Sequence, residues 1–204
     1  MREALLARYR EREPLLRGAR DRLEGECLDV LAQCVHVDRI YFRIKSAKSF
    51  VEKALDPRNE PEYSDPLLEI EDQIAGRVLV FCLSDIPPVL HALSNAFQTV
   101  ESSSRRPERD ESFGYESEHR ICVIPPHVQP DGWSASADMP RTFELQVRTL
   151  FMHAYAEPQH DLAYKAVQEL PSRVRRELAW IAASAWGADQ AYERVRQWNR
   201  AAVE

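Results

Sequence analysis

The sequence lacks three features that would each point to a different class of protein. Its 204 residues include four cysteines but no Cys-x-x-Cys pair, so neither a zinc site nor a disulfide framework is expected. No stretch approaches the roughly 18 continuous apolar residues of a membrane span, and the charged start is unlike a signal peptide. The net charge of −6 lacks the positive excess that drives general nucleic-acid binding. These absences predict a cytoplasmic globular protein without a membrane partner.

The segment from Phe143 to Lys165 carries the most informative pattern. It begins as an alternating strand and continues as a helix, and both parts bear polar side chains. Those on one face of the strand are Glu144, Gln146 and Arg148, and those on the helix are His153, Gln159 and His160. A carboxylate, an amide and a guanidinium in one row can hold a metal, a base and a phosphate in one cleft. A solvated strand face beside a helix gives the same pattern, so this segment alone does not decide.

Further polar groups recur in three upstream segments. One is a buried strand entered through acidic residues, with Asp72 at its start and Arg77 five residues later. Another opens at Arg43 and combines cations with a helix N-cap and a shared helix face. Its members are Arg43, Lys45, the cap Ser46, Lys48, and the face formed by Ser49 and Lys53. The last presents Tyr115, Ser117 and His119 in alternation. Together they indicate one functional surface assembled from distant segments.

The order of elements predicts an α+β fold, a mixed sheet with helices packed around it. The predicted strands are 36–45, Ile74–Cys82, Phe97–Val100, Glu118–Ile124 and one from Phe143. The predicted helices run to about Cys34 with a break at Pro14 and Gly18, and cover Ser46–Leu55, Asp85–Ala96, Ser172–Trp186 and Ala188–Ala202. A polar loop is expected over 102–112. The length suits one domain, with N-terminal helices in 1–34, a catalytic core in 35–168 and C-terminal helices in 172–202.

Taken in order, the four segments resemble the RelA/SpoT synthetase family in its short, single-domain form, the small alarmone synthetases. The matching residues are Arg43, Lys45, Ser49, Lys53, Asp72, Arg77, Gly114, Tyr115, Ser117, His119, Glu144, Gln146, Arg148, Thr149, His160, Tyr164 and Lys165. Each segment alone is a weak match, whereas four in sequence order are a strong one. The resemblance implies a nucleotidyltransferase-like, five-stranded mixed sheet. It also implies that ATP donates its β,γ-diphosphate to the 3′-hydroxyl of GDP or GTP, making (p)ppGpp.

The residues and the resemblance together suggest a role for each group. Asp72 and Glu144 supply the hard oxygen ligands that suit Mg²⁺, and Glu144 is also expected to accept the hydroxyl proton. The expected ATP-binding residues are Arg43, Lys45, Ser49, Lys53, Arg77 and Arg148. The expected acceptor-binding residues are Tyr115, His119, Gln146, His153, Gln159, Arg105 and Arg109. Tyr115 is expected to stack on the acceptor base.

Two departures from the family pattern leave the acceptor open. The stretch before Gly114 lacks the usual lysine, and Gln159 stands where the family has a glutamate expected to read guanine. A carboxylate accepts two hydrogen bonds from guanine, whereas an amide offers one acceptor and one donor. A toxin-type synthetase acting on the tRNA 3′ end or on adenine nucleotides, with an antitoxin partner, is therefore the first alternative. The second is an inactive nucleotide-binding module. The aromatic C-terminal helices also permit a homo-oligomer.

Overall fold

The computed structural model describes residues 1–59, 62–107, 112–136, 138–159 and 170–201. In these ranges the helices are α1 (Arg2–Leu31), α2 (Ala47–Ala54), α3 (Pro66–Glu69), α4 (Ile86–Ala96), α5 (Leu150–Gln159) and α6 (Ser172–Ala201). The strands are β1 (Val37–Ile44), β2 (Ile74–Val80), β3 (Thr99–Arg105), β4 (Ser117–Val123) and β5 (Thr142–Thr149). The part of the chain that the structure describes contains no helix long and apolar enough to cross a membrane.

The five strands form one mixed sheet in the order β1-β2-β5-β4-β3. Strands β2 and β5 are parallel, and each of the other pairs is antiparallel. Strand β5, which follows a long connection, thus inserts beside β2 at the centre of the sheet. The predicted fold class, an α+β protein with a five-stranded mixed sheet, is confirmed.

One face of the sheet is apolar and is covered by α1 and α4, while the opposite face of β2 and β5 is polar. Packing on the apolar face is close at Gly76, where an added Cβ would lie 2.4 Å from the ring of Phe42. The central strands contribute Ile74, Val78, Val80, Phe143, Leu145 and Val147 to this core. Because strand side chains alternate, the intervening positions carry Arg77, Glu144 and Gln146 to the other face. The polar row predicted on β5 therefore lies on the face of the sheet opposite the hydrophobic core.

Several local predictions agree with the structure. The hydroxyl oxygen of Ser46 accepts a hydrogen bond from the backbone N–H of Ser49 at 3.2 Å, so Ser46 caps α2 as expected. The first turn of α4 contains Pro87 and Pro88, where missing N–H donors leave no helical hydrogen bond unmade. Strands β1, β2 and β4 begin and end within a few residues of their predicted bounds, and β5 begins one residue before the predicted start at Phe143.

The predicted break in the first helix is wrong. Helix α1 runs through Pro14 and Gly18 without interruption. Pro14 lies on the exposed side, where water can satisfy the carbonyl that loses its partner. Gly18 lies against the loop after β4, with Pro130 Cβ only 3.3 Å from an added Cβ. A continuous buried stripe under the sheet keeps this helix in one piece.

Two other predicted bounds also need correction. Strand β3 extends to Arg105, so residues 102–105 belong to the sheet and not to the predicted polar loop. Its serines lie on an edge strand, where backbone pairing with β4 does not require apolar side chains. The two predicted C-terminal helices are a single helix, α6, which passes through Gly187. Nothing lies within 4 Å of an added Cβ at Gly187, so that glycine marks neither a turn nor a close contact.

Candidate active site

Asp72 lies in a short 3-10 turn, Glu71–Gln73, which leads directly into β2. Its two carboxylate oxygens accept hydrogen bonds from two ammonium groups. Lys45 Nζ lies 2.5 Å from Oδ2, and Lys53 Nζ lies 2.9 Å from Oδ1. Lys45 follows β1 and Lys53 lies on α2, so three separate elements meet at this carboxylate. The cation-rich first segment and the acidic second segment of the sequence are thereby joined.

Glu144 lies on β5 and is held at both of its oxygens. His119 Nδ1 lies 2.8 Å from Oε1, and the Gln146 side-chain amide donates to Oε2 at 3.0 Å. The ionised carboxylate has no proton to donate, so Nδ1 of His119 must carry the hydrogen in this contact. The other ring nitrogen of His119 lies 3.1 Å from the hydroxyl of Tyr115. In the neutral imidazole it accepts from that hydroxyl, which forms a chain from Tyr115 through His119 to Glu144.

The two carboxylates face one cleft. Its walls include Lys53, Asp72, Ser103, Arg105, His119 and Glu144. Burial acts to raise the pKa of Asp72, but the two lysine ammonium groups outweigh it and keep that pKa below its ordinary value. Burial likewise acts to raise the pKa of Glu144, but the hydrogen bond from His119 outweighs it, so this pKa is lowered too. Both groups are therefore ionised at neutral pH.

The donor set of this cleft fits a magnesium ion that is completed by substrate. Among the described residues, no three His, Cys, Asp or Glu side chains cluster closely enough to hold a metal alone. Mg²⁺ rarely uses such all-protein cages and is bound by one or two carboxylates with waters and phosphate oxygens. Asp72 and Glu144, both ionised and both facing the cleft, are the residues that would hold it.

A second polar cluster lies further along the same face, around Arg77 and Arg148. Arg77 donates to the hydroxyl of Tyr41 at 2.9 Å and to Gln146 Oε1 at 3.2 Å, and it forms an ion pair with Glu157. Arg148 Nη2 donates to the same Glu157 oxygen at 2.8 Å. The predicted row on β5 is thus a connected network from Glu144 through Gln146 to the two arginines.

Further contacts of Arg148 bring in two more of the predicted residues. Its Nη2 lies 2.8 Å from His153 Nδ1 on α5, and its Nη1 lies 3.4 Å from the Tyr115 hydroxyl. The guanidinium carbon lies 5.7 Å from the centre of the Tyr115 ring. Burial and the positive charge of Arg148 lower the pKa of His153.

The remaining predicted residues differ in how they relate to the cleft. Arg105 lines it from β3, and Arg43 is exposed on β1, opposite Ala75 of β2. Ser49 accepts a hydrogen bond from the Ser46 hydroxyl at 2.9 Å in the first turn of α2. Gln159 ends α5 and is not among the described residues that line the cleft. Arg109, His160, Tyr164 and Lys165 lie outside the described residues.

Two residues of this network were missed at the sequence level. Glu157 lies one helical turn after His153, and that spacing places both on one face of α5. Tyr41 alternates with Arg43 along β1 and pairs with Arg77 across the sheet. The sequence signal for Glu157 was its spacing of four residues from His153, and the signal for Tyr41 was its spacing of two residues from Arg43.

The protein is thus an α+β protein whose five-stranded mixed sheet carries two ionised carboxylates among lysines and arginines on one face. The family described as "Region found in RelA / SpoT proteins" matches residues 42–169. This chain therefore belongs to the RelA/SpoT family. The GTP pyrophosphokinase YjbM of Bacillus subtilis (strain 168) is 30% identical to it over 159 residues, which cover 76% of this chain and 69% of the relative. The predicted resemblance is confirmed.

Solved structures agree with this assignment. The small alarmone synthetase 1 of Bacillus subtilis superposes with a TM-score of 0.78 at 21% identity, covering 95% of this chain and 98% of that one. A structure of the same synthetase bound to its product pppGpp has a TM-score of 0.74 at 23% identity, covering 93% and 97%. At these identities the two structures show that the fold is shared.

Proposed function

We propose that this chain transfers the β,γ-diphosphate of ATP to the 3′-hydroxyl of GDP or GTP and so makes (p)ppGpp, with Mg²⁺ as cofactor. The observation that carries this proposal is the meeting of Asp72 and Glu144, distant in sequence, in one cleft beside two lysines. Family membership and the pyrophosphokinase relative support the reaction class. A module that only binds nucleotide would not need both carboxylates to be ionised and to line one cleft.

Glu144 is the proton acceptor in this proposal. Its lowered pKa keeps it ionised, and contacts at both oxygens fix its orientation. As the 3′-hydroxyl oxygen attacks the β-phosphorus of ATP, the new O–P bond forms and the hydroxyl proton passes to Glu144. The bond between the β-phosphorus and the oxygen bridging to the α-phosphorus breaks, and AMP leaves. In-line transfer of this kind depends on alignment and charge stabilisation and needs no covalent intermediate.

The cations of the cleft act on the donor polyphosphate. Lys45 and Lys53, which now contact Asp72, would bind phosphate oxygens of the donor instead, and the Asp72 carboxylate would then be free to hold the metal. Bound Mg²⁺ supplies neutralisation of the charge that develops on the transferred group. Arg43, Arg77 and Arg148 extend the same positive row, and an arginine plane can also stack on adenine. Ser49, which lies one helical turn before Lys53 on α2, would add a hydroxyl to the donor-binding residues.

The acceptor side of the proposal rests on the aromatic and amide groups beside Glu144. Tyr115 would stack on the acceptor base, with His119, Gln146 and His153 forming hydrogen bonds near it. Incubation with γ-labelled ATP and Mg²⁺, separately with GDP, GTP, ADP, ATP or bulk tRNA, tests this assignment. Label on GDP or GTP is expected. A folded protein that labels none of the five would favour the inactive binding module.

A toxin-type reaction on the tRNA 3′ end is the second candidate. It is favoured by the position of Arg105, which lines the cleft from the edge strand β3, with the exposed Arg106 next to it. Arg105 and Arg106 could contact further phosphates of a long acceptor such as tRNA, because cationic side chains bind the phosphate groups of nucleic acids. Label on tRNA and not on GDP or GTP in the same assay would select this candidate.

Self-association through α6 is also proposed. Trp180 and Trp198 are each 70% exposed on this helix, and Tyr192 is 56% exposed. Aromatic side chains of this size are enriched in protein interfaces. Light scattering during size-exclusion chromatography should therefore give a mass above that of one chain. A mass of 23.6 kDa would contradict this.

A further inference from the structure

A single oxygen of Glu157 is shared by two guanidinium groups. Arg77 Nη1 forms an ion pair with Oε1, and Arg148 Nη2 lies 2.8 Å from the same oxygen. Burial acts to raise the pKa of Glu157, but the two guanidinium groups outweigh it, so the pKa is lowered and the group is an anion. Arg77 and Arg148 thus form an anion-binding site, and the anion bound there is the protein's own Glu157 carboxylate.

The partners differ greatly in exposure. The side chains of Arg77 and Arg148 are 12% and 2% exposed, whereas that of Glu157 is 45% exposed. A buried guanidinium without a counter-charge is strongly destabilising, so the two arginines require an anion at all times. The Glu157 carboxylate is already partly hydrated, so water can replace the hydrogen bonds that it gives up when it turns outward. The buried arginine side chains therefore stay in place, whereas the Glu157 carboxylate can be exchanged for another anion.

This site is continuous with the proposed catalytic cleft. Arg77 Nε lies 3.2 Å from Gln146 Oε1, and the amide nitrogen of the same Gln146 lies 3.0 Å from Glu144 Oε2. A polyphosphate chain that reaches Glu144 from this side would pass the two arginines. Phosphate accepts parallel hydrogen bonds from a guanidinium fork, as a carboxylate does, and carries more charge.

We propose that Glu157 is an internal competitor for the phosphate groups of the nucleotide. It balances the charge of Arg77 and Arg148 while the cleft is empty, and the polyphosphate of the donor displaces it. A ligand must bring enough negative charge to replace a carboxylate, so Glu157 selects polyphosphates over uncharged nucleosides. The inference rests on the proposed function only in naming ATP as the source of the polyphosphate.

The test is a binding titration of the whole chain by calorimetry at fixed ionic strength. The probes are tripolyphosphate, adenosine, GDP and AMPCPP, whose methylene bridge blocks the transfer. Glu157→Gln should lower the dissociation constants for AMPCPP and tripolyphosphate about tenfold, the change expected when one competing charge-assisted hydrogen bond is lost. The constant for adenosine should stay unchanged. Tighter binding of GDP without tighter binding of AMPCPP would overturn the proposal that the donor displaces Glu157.

A matched control and a second variant sharpen the result. Glu13→Gln removes a carboxylate that pairs with Arg17 at 3.0 Å on α1, and it should leave every constant unchanged. Glu157→Ala should move binding in the same direction as Glu157→Gln. Equal or weaker binding of tripolyphosphate and AMPCPP by both Glu157 variants would overturn the proposal, because a residue that merely positions the arginines gives that outcome.

The binding readout also separates this inference from the proposed function. If Glu157→Gln tightens tripolyphosphate binding while no acceptor becomes labelled from ATP, the displaceable anion stands and the transfer reaction fails. If label is transferred and the variants bind no more tightly, the reaction stands and Glu157 is not a competitor.

Discussion

His119 donates a hydrogen bond from Nδ1 to Oε1 of Glu144 across 2.8 Å, from strand β4 to strand β5. The register of the two strands pairs His119 with Gln146, so His119 and Glu144 are diagonal neighbours on one face of the sheet. Both side chains are mostly buried, which protects the contact from water. This relationship fixes the direction in which the proposed proton acceptor points.

Replacement of Glu144 by glutamine tests its role as proton acceptor. Glu144→Gln removes the charge with little change in volume, so kcat should fall at least about 100-fold, within the range that general-base catalysis contributes. The melting temperature should hardly change. Glu26→Gln is the matched control, since Glu26 pairs with His127 at 2.8 Å on the other side of the sheet. Steady-state kinetics that show unchanged turnover in Glu144→Gln would refute the assignment.

Substitutions at His119 test its role as a positioning residue. His119→Ala should lower kcat by about 10- to 100-fold, because a small displacement of a catalytic group is costly. It should also raise the KM for the acceptor, because a hydrogen bond near the acceptor base is lost, and should leave the KM for ATP within about twofold. His119→Asn keeps an N–H near the position of Nδ1 and should recover part of the lost kcat. If KM changes and kcat does not, His119 binds substrate and does not align Glu144.

Two substitutions at Tyr115 separate its ring from its hydroxyl. Tyr115→Ala should raise the KM for the acceptor by about 5- to 150-fold and leave that for ATP nearly unchanged, because stacking contributes about 1–3 kcal/mol per base. Tyr115→Phe keeps the ring but loses the 3.1 Å contact with His119, so it should lower kcat without affecting acceptor KM. Equal losses for donor and acceptor in Tyr115→Ala would contradict the stacking role.

Removal of divalent metal should abolish transfer without unfolding the protein. The Asp72 carboxylate is neutralised by Lys45 and Lys53 in the absence of metal, so the fold does not need a cation there. Chelation with EDTA should therefore stop the reaction, and added Mg²⁺ should restore it, while circular-dichroism melting curves coincide. A lower melting temperature in EDTA would indicate a structural metal and would contradict the proposed site.

The buried carboxyl of Asp189 predicts a pH-dependent stability. It lies on α6 and accepts a hydrogen bond from Thr149 at 2.7 Å, while burial raises its pKa to about 6. The pKa of Asp189 in the folded protein exceeds the unfolded value of about 3.9. Its stabilising contribution to the free energy of unfolding is therefore complete at low pH and is lost as the pH rises through 6. Asp189→Asn avoids this loss.

At pH 8 the Asp189→Asn variant should therefore be more stable than the natural chain, by up to about 2 kcal/mol, and the difference should shrink at pH 5. Urea unfolding at both pH values measures it. A variant that is less stable at pH 8 than at pH 5, relative to the natural chain, would show that Asp189 is needed as an anion.

Most of the site was predictable because its residues occur as local patterns. Alternation placed Glu144, Gln146 and Arg148 on one face, and the spacing of Ser46 before α2 predicted the cap. The pairing of Asp72 with two lysines was not predictable, since it joins three elements that are far apart in sequence. In helix α1 the local sequence was misleading. Pro14 predicted a break, but the helix is continuous because its buried side packs against the sheet.

By itself the sequence determined the family, the class of fold and the types of side chain available for chemistry, because periodicity and ordered motifs are local properties of the chain. The tertiary structure alone decided which charges neutralise each other. Whether Arg77 and Arg148 meet a substrate or the Glu157 carboxylate depends on how α5 packs beside β2 and β5. Electrostatic contacts of this kind depend on distance and burial, and both exist only once the chain has folded.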